Sequence, residues 1–153
     1  MVLCNGGKVT KIVVASGGFD PIRSHHLSLF MNAAKLGDWF VVIINRNHFL
    51  QAKKGFYLLD EVERMILVER YPWVDETVLA LDKDLTVCET LRTLKPHIFV
   101  NGGDRKNVND IPEAKVCEEL NIEMVFNVGI PKGDSVRSGK QLVEDAARSL
   151  KWL

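Results

Sequence analysis

A chain of 153 residues, 46% of them hydrophobic, is long enough to bury one proper core, expected over residues 11–153 behind a loose segment at 1–10. Its 20 basic residues balance 20 acidic ones, which argues against a nucleic-acid partner, so any cationic cluster acts locally on a small anion. No apolar run approaches a signal-peptide core or a membrane span, so no membrane partner and a cytoplasmic location are expected; three widely spaced cysteines give neither a disulfide framework nor a zinc signature.

Lys11–Ala15 (KIVVA) is an apolar run stopping at Ser16-Gly17-Gly18, which predicts a buried strand entering a glycine turn. From His26, Leu27, Phe30, Met31 and Ala34 follow the spacing of an amphipathic helix that Gly37 stops. Trp39–Ile44 predicts a second strand, and Asp60 precedes a helix that must end before Pro72. Val78–Leu81 reads as a third strand, Leu85–Leu94 as a helix closed by Lys95-Pro96, and His97–Val100 as a fourth strand broken by Asn101-Gly102-Gly103-Asp104. Pro112–Leu120 suits a helix with proline in its first turn, Glu123–Phe126 a fifth strand, and Ser138–Leu150 a closing helix. The glycine- and charge-rich connection Gly129–Gly139 is expected to be mobile without ligand. Cys88, Cys117 and His97 read as structural.

This alternation implies the α/β class, a Rossmann-like domain with a five-stranded parallel sheet and helices on both faces. Ligands of such sheets sit beyond the carboxyl ends of the strands, where chain order reverses. Two glycine turns, Gly17-Gly18 and Gly102-Gly103, follow strands and are expected together at that crevice. The first runs into Arg23 and His26, three apart at a helix mouth and so on one side of it. Cations oppose the helix dipole there, and a bound anion would offset the repulsion. The turn is neither a dinucleotide fingerprint nor a P-loop.

GGFDPIRSHHLSLF resembles the signature of the nucleotidylyltransferase superfamily, G-x-F-D-x-x-H-x-G-H. Gly18, Phe19 and Asp20 match, and His26 takes the place of the second histidine. Arg23 stands where the first histidine belongs and His25 where the glycine belongs. INRNHFLQAKKG resembles the superfamily's second strand and lysine-bearing loop, with Lys54-Gly55 at the usual Lys-Gly. HIFVNGGDRKNVNDIPE resembles the Gly-Gly-Asp segment of the cytidylyltransferase-like branch, in the version found in enzymes making nucleotide-activated heptose or glycerol. SVRSGKQLV is similar to the helix start that closes over phosphates, with Ser138 matching.

The resemblance implies a nucleotidyltransferase that moves CMP or AMP from CTP or ATP to a phosphorylated sugar or polyol, releasing pyrophosphate. His26, Lys54 and Arg23 are the implied catalytic residues. Gly17, Gly18, Phe19, Asp20, Gly102, Gly103, Asp104, Arg137 and Ser138 are the implied nucleotide-binding residues. Mg²⁺ would be held through nucleotide phosphates and water rather than by a protein cage. An adenylyltransferase of cofactor synthesis is an alternative, which the Gly-Gly-Asp segment makes the less favoured one. A nucleotide-binding relative without catalysis is another, suggested by the altered histidine motif. The resemblance also implies a homodimer, with Trp39, Phe40 and Phe56–Leu59 expected near its contact.

Overall fold

The computed structural model describes residues 4–5, 8–102, 108–130 and 136–152. In the segment expected to be loose, β1 (Cys4–Asn5) pairs antiparallel with β2 (Lys8–Val9). The five apolar runs then form one parallel sheet of β3 (Ile12–Gly17), β4 (Trp39–Ile44), β5 (Glu76–Leu79), β6 (Ile98–Gly102) and β7 (Glu123–Val128). Their order is β5-β4-β3-β6-β7, the α/β architecture expected from the sequence.

Side chains alternate across a strand, so each apolar run feeds two cores. Val13, Ala15, Val42 and Ile44 pack with Phe30 and Ala33 of α1 (Ser24–Ala34). Val68 of α3 (Glu61–Glu69) completes that side. Ile12, Val14, Val41 and Ile43 face Leu91 of α4 (Cys88–Leu94), with Val116 and Cys117 of α5 (Ala114–Glu119). Each buried Val, Ile, Leu or Phe among them contributes about 1.5–3 kcal/mol. Burial also pushes the Cys117 thiol up to about 11, the condition of an inert core cysteine. His97 is structural too: its Nδ1 accepts the Ile12 N–H at 3.0 Å.

From β3 the chain steps outward to β4 and β5, then recrosses the sheet to β6 and β7. Chain order therefore reverses between β3 and β6, and the crevice at their carboxyl ends is bounded by Gly17-Gly18 on one side and Gly102 on the other.

Three local expectations change. The lysine-bearing loop is largely a helix, α2 (Asn47–Lys54), closed by Gly55 at φ +87°. Asn101 and Gly102 extend β6 instead of breaking it. Phe40 is 1% exposed, so it belongs to the core and cannot lie at a subunit contact. The closing helix, α6, spans Gly139–Ser149.

Candidate active site

The first glycine turn is shaped by packing. A Cβ at Gly17 would lie 2.8 Å from the Phe19 ring, and one at Gly18 would lie 2.6 Å from Leu50 Cδ2. A side chain at either position would thus have to displace a neighbour, the Phe19 ring or the Leu50 side chain, whatever ligand approaches. Phe19 itself sits at φ +50°, a left-handed conformation costly for a bulky residue. In that conformation its buried ring meets the His26 ring edge-on, with centroids 5.1 Å apart.

Arg23 is the residue before α1, and its carbonyl accepts the N–H groups of His26 and Leu27. No acidic side chain occupies the first turn. Instead His26 reaches back, its Nδ1 accepting the Arg23 N–H at 3.0 Å, as a capping glutamate or glutamine would. An accepting Nδ1 puts the proton of the neutral ring on Nε2, leaving Nε2–H as a fixed donor. His25 also lines the cavity described below, its ring centroid 3.9 Å from that of His26, so access alone does not separate the two. The bond to Arg23 gives His26 a fixed orientation at the helix start.

The Arg23 guanidinium is half-buried, and burial lowers its pKa. Its Nη1 donates to the Arg137 carbonyl oxygen, and its Nε is enclosed without a partner. Arg137 directs its own guanidinium to Asp145 Oδ2 at 2.7 Å.

Asp20 carries the neighbouring structure. One carboxylate oxygen accepts the Leu59 N–H at 2.8 Å; the other accepts the Leu58 N–H at 2.8 Å and Lys54 Nζ at 3.0 Å. Burial alone would raise its pKa, but these two backbone donors and Lys54 hold it below the ordinary value. Lys54 also donates to the Asp20 carbonyl and lies 4.9 Å from the centre of the Phe56 ring. The start of α6 closes on the same point: a Cβ at Gly139 would lie 3.1 Å from the Asp20 carbonyl oxygen and 3.4 Å from Lys54 Nζ. Ser138 caps that helix, its Oγ accepting the Gln141 N–H at 3.1 Å while Gln141 Oε1 accepts the Ser138 N–H at 2.7 Å. Lys54 and the start of α6 thus meet at Asp20, while Arg23 links His26 to the Arg137 carbonyl just before α6.

A cavity of about 350 Å³ opens beside this cluster along the carboxyl edge, from Phe19 and His26 to Leu85, Val87 and Glu113. Lys53 rather than Lys54 is in its wall. Gly102 is there too, and a Cβ added to it would meet open space, so this glycine leaves room where Gly17 and Gly18 do not. Gly103 and Asp104 lie outside the described residues.

Four residues escaped the sequence reading. Arg64 is fully buried, and its guanidinium donates to the carbonyls of Gly18, Asn45 and Leu59 and to Asn47 Oδ1. It therefore ties the glycine turn to the lysine segment. Its position four before Val68, on the buried stripe of α3, was the available signal. Asn45, Asn101 and Glu113 are 8%, 6% and 5% exposed and line the cavity. Polar residues at strand and helix ends ordinarily read as turn formers, which hid them.

The cytidylyltransferase-like family model matches residues 14–143. The chain belongs to the cytidylyltransferase-like family. It is similar to an FAD synthase of Methanohalobium evestigatum, 32% identical over 120 residues, which cover 78% of this chain and 77% of that one. It is also similar to the bifunctional protein HldE of Desulfatibacillum aliphaticivorans, 28% identical over 137 residues; the match takes in 88% of this chain but only 27% of that protein. Among solved structures it resembles a lipopolysaccharide core biosynthesis protein from Thermoplasma volcanium, with a TM-score of 0.67 and 25% identity, covering 79% of this chain and 98% of that one. This member of the cytidylyltransferase-like family is a nucleotidyltransferase. The leaning toward a sugar or polyol enzyme over one of cofactor synthesis does not hold, since FAD synthases stand beside HldE among its relatives. Among the described residues no helix is long and apolar enough to cross a membrane.

Proposed function

We propose that the protein transfers AMP or CMP from a nucleoside triphosphate to the phosphate of a polyol- or sugar-bearing acceptor. An oxygen of the acceptor phosphate attacks the α-phosphorus, the bond from that phosphorus to the β-bridging oxygen breaks, and its electron pair leaves with pyrophosphate. The observation that carries this reading is the chain of contacts beside the cavity that joins His26 to Arg23, Arg23 to the residue entering α6, and the start of α6 to Asp20 and Lys54. Such chemistry asks the protein chiefly for positioning and charge stabilisation.

In this reading His26 Nε2–H donates to a non-bridging α-phosphate oxygen as negative charge builds. Lys54, held by Asp20, neutralises the acceptor phosphate or the α-phosphate. Ser138 and the first N–H groups of α6 take the outer phosphates, and Arg23 supplies the donor that the family's first histidine would. The Asp20 carboxylate is already engaged by three donors, and the described residues include no cluster of three His, Cys, Asp or Glu side chains. Mg²⁺ would enter with the nucleotide, held through its phosphates and water, and would supply charge neutralisation there.

ATP is the favoured donor. FAD synthase is named for flavin adenine dinucleotide, whose assembly joins an adenylyl group to a flavin phosphate, itself the phosphate of a polyol chain. The test is pyrophosphate release from ATP and from CTP against riboflavin 5′-phosphate, glycerol 3-phosphate and heptose 1-phosphate. Release with ATP and one of these acceptors is expected. Nucleotide binding without release from any pair would overturn the transfer reading.

A further inference from the structure

The apolar row on the α4–α5 side of the sheet ends in polar residues. By the period of two, Asn45 follows Ile43 and Asn101 follows Phe99 on that side, at the carboxyl edge. Glu113, at the start of α5, meets the same space. One Glu113 oxygen accepts the Val87 N–H at 3.0 Å; the other, Oε2, is buried without a partner. Asn45 Oδ1 and Asn101 Nδ2 are buried and unpartnered as well. Buried polar atoms are nearly always paired, and an unpaired one costs about 1–3 kcal/mol. Three around one cavity, each on a side chain more than nine-tenths buried, describe a ligand by what it must supply.

We propose that Asn45, Asn101 and Glu113 form a subsite for the hydroxyl groups of a sugar or polyol, with Glu113 as its specificity determinant. The atoms offer two acceptors and one donor, a set that hydroxyls satisfy because each both donates and accepts. An anion is repelled by the Glu113 carboxylate, and an apolar group leaves all three atoms unpaired. The phosphates accordingly belong at the other end of the cavity, near Arg23, Lys54 and α6. The hydroxyls come either from the ribose of the nucleotide or from the acceptor. This inference rests on the transfer reading for its ligands and not for its geometry.

The test is calorimetric titration of wild type and Glu113→Gln with tripolyphosphate, ATP, 2′,3′-dideoxy-ATP, riboflavin 5′-phosphate and glycerol 3-phosphate. Glutamine keeps an oxygen for the Val87 N–H and turns the Oε2 position into a donor, so the variant retains its structural bond. Its hydroxyl-bearing ligand should bind at least about tenfold more weakly, the scale of one lost hydrogen bond to a charged group, with tripolyphosphate unchanged. A ribose source weakens ATP but not dideoxy-ATP. An acceptor source leaves both nucleotides unchanged and weakens a polyol phosphate. Equal weakening of ATP and dideoxy-ATP would overturn the hydroxyl assignment, and equal affinities for every probe, or no binding of any hydroxyl-bearing probe by wild type, would overturn the subsite. Failure of tripolyphosphate to bind wild type would count against the transfer reading alone.

Discussion

His25 and His26 are adjacent in sequence, both line the cavity, and their rings nearly touch. The hydrogen bond from the Arg23 N–H to His26 Nδ1 fixes both the tautomer and the aim of the His26 ring. His26→Ala should lower turnover at least about a hundredfold, the usual scale for one oxyanion-stabilising donor, and His25→Ala should cost much less. Steady-state pyrophosphate release checks both, and a reversed order would move the site residue by one. Arg23 differs from the histidine it replaces in staying charged and in length, which lets it reach the Arg137 carbonyl across the mouth of the site. Arg23→Ala should weaken triphosphate binding by about 1.5–3 kcal/mol, whereas Arg23→His, which keeps a donor, should retain substantial activity.

At the scale of elements, two buried hubs hold the mouth together. Arg64 gathers carbonyls from the turns after β3 and β4, and Asp20 gathers the N–H groups of the segment between α2 and α3. Asp20→Asn should destabilise the fold by about 2 kcal/mol at neutral pH, since charged hydrogen bonds are lost. The Asp20 pKa is lowered on folding, so its stabilisation is fully present above its ordinary value of 3.8 and fades as pH falls through the lower folded value. The gap in Tm between wild type and Asp20→Asn should therefore narrow in acid and stay constant above about pH 5. A gap that grew on acidification would contradict the assignment. These hubs also mark where the sequence stopped being legible. Every strand of the sheet has an apolar stretch at its centre, so the order of elements could be read, although β5 runs over Glu76–Leu79, two residues before the expected Val78–Leu81, because its first two residues are polar. Helix α2 could not, because only Leu50 of it is buried and its first N–H is capped by Glu61 from α3. The same holds at the site. His26, Lys54 and Ser138 stand in recognisable local patterns, while Arg64, Asn45, Asn101 and Glu113 owe their burial to chain segments far away in sequence.

For the whole molecule, the surface bears on assembly. Tyr57, Leu58, Val62, Ile66 and Leu67 are each more than 40% exposed, and Val62 and Ile66 lie one turn apart on α3. Apolar residues exposed singly are ordinary, but a run of them on one helix and the segment leading into it suits a partner. The family resemblance implies a homodimer, and we place its contact on this strip instead of at Trp39 and Phe40, which pack into the two cores. Leu58 belongs to both the strip and the site, its N–H held by Asp20, so such a contact would brace the segment that carries Lys54. The double variant Val62→Glu/Ile66→Glu should sediment as a monomer at micromolar concentration where the wild type sediments as a dimer. Both substituted positions are exposed, so the Tm of the variant monomer should fall only by the contribution of the lost contact. A wild type that is monomeric at that concentration, or a variant that remains dimeric, would remove the strip as the contact.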